Sequence, residues 1–194
     1  MKTTPYTLLS FLLFFQLGIA QTQYPNLASN PYLEDYVPKN VLQFVNDKLP
    51  HARIVAERYE VPVDFLLCVA GLETGWGSSE LSQQANNFFG IKNPYNEGPS
   101  YCLWHEDYVP GVGMVGDTTC FKSYNDITNS FADYVEHLMT RGCYLSRLDD
   151  NPSSFDHWAS LVFECGYATD PDYKYKLETI RTKYYFKKII PSQT

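Results

Sequence analysis

One carboxylate closes a run of residues that has almost no polar face. Phe65, Leu66, Leu67, Cys68, Val69, Ala70 and Leu72 precede Glu73, and Thr74-Gly75-Trp76-Gly77 follows it. A helix that is apolar all round belongs in a protein interior. Burial disfavours the charged form of a carboxylate, and the negative end of a helix dipole acts in the same direction. A Glu placed so can keep its proton near neutral pH and serve as a general acid. The plainer alternative is an exposed helix-terminal Glu with an ordinary pKa.

Other residues of suitable type lie further on. Asn87, Phe88 and Gly90 sit in Asn86-Asn87-Phe88-Phe89-Gly90-Ile91-Lys92. The Asn87 amide suits either a sugar hydroxyl or its own turn, and Gly90 permits close backbone approach. Phe88 and Phe89 alternate in direction if extended, one toward core and one toward a cleft. Trp76 can line a cleft or wedge the helix end into the core. Glu106 and Asp107, with Asp117 beyond them, are carboxylates in a β-rich stretch, and solvated turn charges are the plain alternative. Tyr167, in Gly166-Tyr167-Ala168-Thr169-Asp170-Pro171, follows a helix stop and faces either a cleft or a helix packing interface. Asp133 reads as structural and Asp170 as an N-cap. No C-x-x-C or H-E-x-x-H spacing is present, so no metal site and no cofactor are expected.

The elements that must hold these residues are mostly helical. Val41, Leu42, Phe44, Val45 and Leu49 have helical spacing, and Pro50 suits the first turn of a second helix running to Tyr59. Pro62 precedes the Glu73 helix, and Ser78 or Ser79 caps a short helix through Gln84. Residues 85–99 read as loop. Tyr101 to Tyr124, rich in Val, Thr, Tyr and Phe, reads as two or three strands turning near Pro110-Gly111. Asn125 or Asp126 caps a helix carrying Ile127, Phe131, Tyr134, Val135, Leu138 and Met139, stopped by Gly142. Asn151-Pro152 opens a helix that Gly166 stops, and Asp170-Pro171 opens the last, Asp172 to about Tyr185.

The first twenty residues read as a secretory signal: Lys2, an apolar stretch from Leu8 to Leu17, then Gly18-Ile19-Ala20. The apolar run is short for a membrane span, so the mature chain is expected to be exported with no membrane anchor. Residues 21–38 read as an extended arm and 39–190 as one domain, with its β lobe at about 100–124. The chain has 15 basic and 22 acidic side chains, net −7. That balance argues against a nucleic-acid partner. Five Cys in an exported chain suggest disulfides. Cys102 and Cys120 can meet across a hairpin, Cys143 and Cys165 form a plausible second pair, and Cys68 reads as a buried thiol. A fully reduced set is the alternative.

Glu73-Thr74-Gly75-Trp76-Gly77, Asn86 to Lys92, Phe121-Lys122-Ser123-Tyr124 with Ser130 to Tyr134, and Gly166 to Pro171 occur in one order. Together they resemble the peptidoglycan glucosaminidases of glycoside hydrolase family 73, over about Lys39 to Phe186. The resemblance implies a mainly α (α+β) fold, a lysozyme-like helical body with a small β-hairpin lobe flanking the cleft. It implies an endo-β-N-acetylglucosaminidase cleaving the β-1,4 bond between N-acetylglucosamine and N-acetylmuramic acid in peptidoglycan glycan strands. Glu73 then matches the general acid and Tyr167 the Tyr near the catalytic sugar. The second group comes from the β lobe: Glu106 first, Asp107 next, or the substrate's own N-acetyl group assisted by Tyr167. Trp76, Asn87, Phe88, Gly90 and Asp107 are the expected substrate contacts, and the protein is expected to be a monomer. The Cys residues and the Trp104-His105-Glu106-Asp107 stretch depart from the usual family pattern. Rivals are a muramidase or lytic transglycosylase on the same body, and a glycan-binding module without catalysis.

Overall fold

A computed structural model describes Leu33, residues 35–147 and residues 154–190. The signal segment, most of the N-terminal arm and the Asn151-Pro152 helix start lie outside the described residues. The arm's last residues are not extended. Tyr36 and Val37 both donate backbone N–H bonds to the Leu33 carbonyl, and Val37 is buried.

Helix α1 is Lys39–Tyr59 and runs unbroken through Pro50. Two helices were expected there. One forms because the apolar stripe keeps its phase across the proline: Val41, Leu42, Phe44, Val45, Leu49, Ala52, Val55 and Ala56 are all buried. Packing therefore outweighs the missing Pro50 N–H. Helix α2, Val63–Thr74, has Phe65 through Gly71 buried without interruption. It packs against α1 and, later in the chain, against α6 (Phe155–Glu164) and α7 (Tyr173–Lys183).

The end of α2 is built by its own sequence. The Thr74 hydroxyl donates to the Ala70 carbonyl at 2.6 Å and accepts from Gly77 N at 2.8 Å. Gly75 takes the left-handed conformation, φ +56°, and the Trp76 N–H returns to the Gly71 carbonyl. These bonds satisfy carbonyls that a helix end otherwise leaves open. They also fold the Trp76 indole across Gly71, where a Cβ would lie 2.4 Å from the ring.

A short helix α3, Glu80–Ala85, is capped by Ser79, whose Oγ accepts from Ser82 N. Strands β1 (Ser100–Val109) and β2 (Gly113–Lys122) form an antiparallel hairpin, with Cys102 opposite Cys120, Glu106 opposite Gly116 and Asp107 opposite Val115. Lys92 adds an isolated bridge to Phe121. The hairpin therefore rises from the helical body at the Phe121 end. The Cys102–Cys120 and Cys143–Cys165 disulfides are both formed, and Cys68 is a buried free thiol.

Helix α4, Ile127–Met139, is capped by the Asp126 side chain, which accepts from Thr128 N. Gly142 does not end it. The helix closes at Thr140, and Gly142 opens the short α5, Gly142–Leu145. Ser154 caps α6 by accepting from His157 N. Helix α7 starts at Tyr173 rather than at Asp172. Asp170 is not its N-cap: its Oδ1 accepts from Asp172 N in the preceding turn. Helix α8 is Phe186–Ile189. The architecture is a helical body with one small hairpin, and no described helix is long and apolar enough to cross a membrane.

Candidate active site

Glu73 lies in the last turn of α2, on the floor of a cavity of about 490 Å³. Tyr167, Tyr173, Phe89, Gly90 and Phe121 stand around it. They come from the segment after α6, from α7, from the loop before the hairpin, and from β2. The residue keeps surface open toward the cleft, while protein closes around the carboxyl from other sides. Burial accordingly raises the pKa of Glu73, and the Tyr173 hydroxyl, donating to Oε1 at 2.5 Å, pulls it partly back. The carboxyl is thus biased toward its protonated form and held in one orientation.

Tyr167 also lines this cavity. Its hydroxyl donates to the Phe89 carbonyl at 2.9 Å, leaving the oxygen lone pairs available to a ligand. Its ring meets Tyr134 and Tyr173 edge-on, with centroids 5.2 and 6.3 Å away. Burial, and then the negative charge of Glu73, push the phenols of Tyr167 and Tyr173 well above their ordinary range, so both remain protonated donors. Tyr134 stacks on Phe89 at 4.1 Å and is fully buried, its hydroxyl without a hydrogen-bond partner among the described residues. The wall around Glu73 therefore carries aromatic rings suited to the apolar faces of a sugar ring, with Lys92, Asp170 and Lys176 also lining it. Gly90, φ +64°, presents open backbone at the rim, with nothing within 4 Å of where a Cβ would stand.

Three expected contact residues stand elsewhere. Trp76 is packed edge-on against Phe44 and Tyr184 and above Gly71, because the left-handed turn after α2 swings it back into the body. Asn87 is 1% exposed and its amide is fully engaged. Its Nδ2 donates to the Ile91 and Lys122 carbonyls, and its Oδ1 accepts from Phe89 and Ile91 N–H groups. It ties the Phe89-Gly90 turn to β2 rather than facing a ligand. Phe88 is buried between Phe44 and Phe131, and its neighbour Phe89 takes the cleft position.

Glu106 is exposed on β1 opposite Gly116 and does not line the Glu73 cavity. Among the described side chains, Glu73 and Asp170 are the carboxylates that do. Asp170 is engaged by Lys176 and by the Asp172 N–H, which hold its pKa low in that order. Asp133 accepts from Lys122 Nζ at 2.9 and 3.0 Å and from the Tyr124 hydroxyl at 2.5 Å, which anchors α4 to the strand end. Tyr173 was not singled out from sequence. Its position one turn after Asp170-Pro171 is the signal that could have found it. No cluster of metal-binding type occurs among the described residues.

Comparison with known proteins agrees with this geometry. The family described as mannosyl-glycoprotein endo-beta-N-acetylglucosaminidase matches residues 49–186. The peptidoglycan hydrolase FlgJ of Pseudomonas aeruginosa is 37% identical over 145 residues, covering 71% of this chain and 35% of that protein. The exo-glucosaminidase LytG of Bacillus subtilis is 31% identical, covering 73% and 50%. The chain thus spans about a third to a half of these curated relatives. Among solved structures, the catalytic domain of the autolysin Auto from Listeria monocytogenes superposes with a TM-score of 0.67 at 25% identity, covering 79% of this chain and 89% of that one. A peptidoglycan hydrolase mutant from Sphingomonas sp. A1 gives 0.65 at 28% identity, covering 76% and 97%. A family match over most of the described fold, with Glu73 and its tyrosines converging in one cleft, places the chain in the glucosaminidases of glycoside hydrolase family 73, a family of glycoside hydrolases.

Proposed function

We propose that this protein is an exported endo-β-N-acetylglucosaminidase that cleaves the β-1,4 bond between N-acetylglucosamine and N-acetylmuramic acid in peptidoglycan. The reading rests on Glu73. Its carboxyl sits on an aromatic-walled cleft floor, burial favours its protonated form, and Tyr173 fixes its direction. Glu73 donates its proton to the leaving glycosidic oxygen while positive charge develops at the anomeric carbon. Tyr167 faces the same space and orients the sugar. Gly90 gives backbone access at the rim. Glu106 of the hairpin assists water or stabilises the cation-like transition state.

A second reading of the assisting group has its own observation. Directly opposed residues share a face of an antiparallel pair, and alternate residues return to it. By that register, position 107 shares the face of cleft-lining Phe121, and Glu106 shares that of Cys102 and Trp104. Asp107 is then the assisting carboxylate. Azide rescue of a Glu106→Gln or an Asp107→Asn protein points to the residue replaced. Rescue at neither position, with activity lost only on substrates lacking the N-acetyl group, assigns the role to the substrate itself.

The overall reading is tested on purified sacculi by mass spectrometry of the released fragments. New N-acetylglucosamine reducing ends are expected. N-acetylmuramic ends or anhydro ends would instead indicate a muramidase or a lytic transglycosylase. Binding without release of soluble fragments would indicate a glycan-binding module.

A further inference from the structure

A second cavity, of about 410 Å³, lies beside the catalytic cleft and is absorbed by none of the roles above. The end of α1 supplies Arg58 to it, the loop before the hairpin Glu97, the end of β2 Lys122 and Ser123, and α4 Asn129 and Asp133. Consecutive residues of a strand project to opposite sides. Phe121 lines the catalytic cleft and Lys122 lines this cavity, so the two spaces stand back to back across one strand end.

The chemistry of the two spaces differs. The catalytic cleft sets the rings of Phe89, Phe121, Tyr167 and Tyr173 beside Glu73, Asp170, Lys92 and Lys176. The second cavity is lined by charges of both signs and by amide and hydroxyl groups. Lys122 and Asp133 neutralise each other at its inner wall, with Tyr124 bonded to the same carboxylate. Arg58 and Glu97 form no ion pair with any described residue, and the side chains of Ser123 and Asn129 form no hydrogen bond with one. Glu136 also lines the cavity and accepts from the Tyr59 hydroxyl, while Arg58 lies over the Tyr59 ring. Arg58, Glu97 and two neutral polar groups thus face a single concavity without an ion pair among the described residues. A neutral sugar needs no such pair of opposite charges. A short peptide bearing both a free carboxylate and a free amine satisfies both.

Resting on the glucosaminidase reading, we infer that this cavity binds the stem peptide carried by the glycan strand. The peptide's carboxylate meets Arg58 and its amine meets Glu97. Four extended residues reach at most about 14 Å, and the two spaces adjoin at consecutive residues, Phe121 and Lys122. The cavity then selects peptide-bearing strands over stripped ones while leaving bond cleavage itself unaffected.

The test compares intact sacculi strands with the same strands stripped of peptide by an amidase, using wild type, Arg58→Ala, Glu97→Gln and Asn129→Ala. Wild type is expected to show the lower KM on peptide-bearing strands. Each variant should raise that KM about three- to fivefold, the scale of one partly exposed charged contact, with kcat/KM on stripped strands unchanged. Equal KM values for the two substrates in wild type overturn the inference, as do variants that alter both substrates equally or neither. Calorimetric titration of a free stem tetrapeptide into the same four proteins reads binding without catalysis. Heat of binding that is lost in Arg58→Ala supports the site even if the bond specificity is other than proposed. Absence of binding to wild type overturns it. Failure of wild type to cleave either strand would count against the glucosaminidase reading instead.

Discussion

The proposed chemistry turns on how one carboxyl, that of Glu73, is held. Glu73→Gln is expected to lower kcat on sacculi by about 10²–10⁴-fold, the range for loss of a positioned general acid, measured by release of reducing ends. Tyr173→Phe carries a signed expectation. The Tyr173 hydrogen bond lowers the Glu73 pKa against the larger effect of burial. Its removal lets that pKa climb further, so the alkaline limb of the pH–rate profile moves to higher pH. A limb that stays in place, or moves down, would show that this proton is not the one titrating. At this scale the cleft position of Glu73 was legible because a lone Glu closing an apolar run has few places to go. Tyr173 was not, because a Tyr in a helix with sparse apolar patterning looks like any surface aromatic until α7 is laid beside α2. Asn87, Phe88 and Trp76 had suitable residue types for sugar contact. Their backbone turns, invisible to spacing, send them inward.

The elements are joined by a few tight contacts. Gly71 is the closest: a methyl there would lie 2.4 to 2.9 Å from three carbons of the Trp76 ring. Gly71→Ala is therefore expected to destabilise the fold by about 1–3 kcal/mol, the cost of overpacking a filled core, read as a lowered denaturation midpoint. Disulfides fasten two other joints. Cys102–Cys120 closes a separation of 18 residues at the hairpin base, and Cys143–Cys165 closes 22 residues just before the Tyr167 segment. Each is expected to contribute about 3 kcal/mol by loop closure. Cys143→Ser with Cys165→Ser should also cost activity, because Arg141 bonds the Gly166 carbonyl next to Tyr167 across the same joint. Thermal melts and sacculus assays on that double variant check both effects. The helix and strand locations were readable from periodicity and punctuation. The helix joints were less so: Pro50 is overridden by packing of its neighbours, and Gly142 begins a helix rather than ending one.

Across the whole molecule, placing a titratable group on a cleft floor where protein surrounds its carboxyl couples stability to pH. Folding raises the Glu73 pKa, so the folded chain holds this proton more tightly than the unfolded one. That contribution is complete below the ordinary value of 4.5 and is lost as pH rises through the raised value. Glu73→Gln should thus melt above wild type at neutral pH and level with it in acid. A constant offset between the two melting curves across pH would contradict this. The overall architecture was legible because four separated motifs in one order constrain a chain more than any one of them. The course of the hairpin relative to the cleft was not, since a strand's register is set by its turn and its partner rather than by local composition.

Cys68 has one further consequence. It is fully buried in α2, and burial pushes its thiol pKa well above the ordinary range. A thiol that cannot ionise is a poor nucleophile for disulfide exchange. The other four cysteines can pair in only a few ways, and a fifth reactive one multiplies the wrong ones. The order of events during maturation therefore matters: α2 must dock before oxidation begins, so that the core withdraws the one thiol without a mate. Oxidative refolding of a Cys68→Ala chain should yield more correctly bridged protein than the parent, with the gain greatest when oxidant is added early.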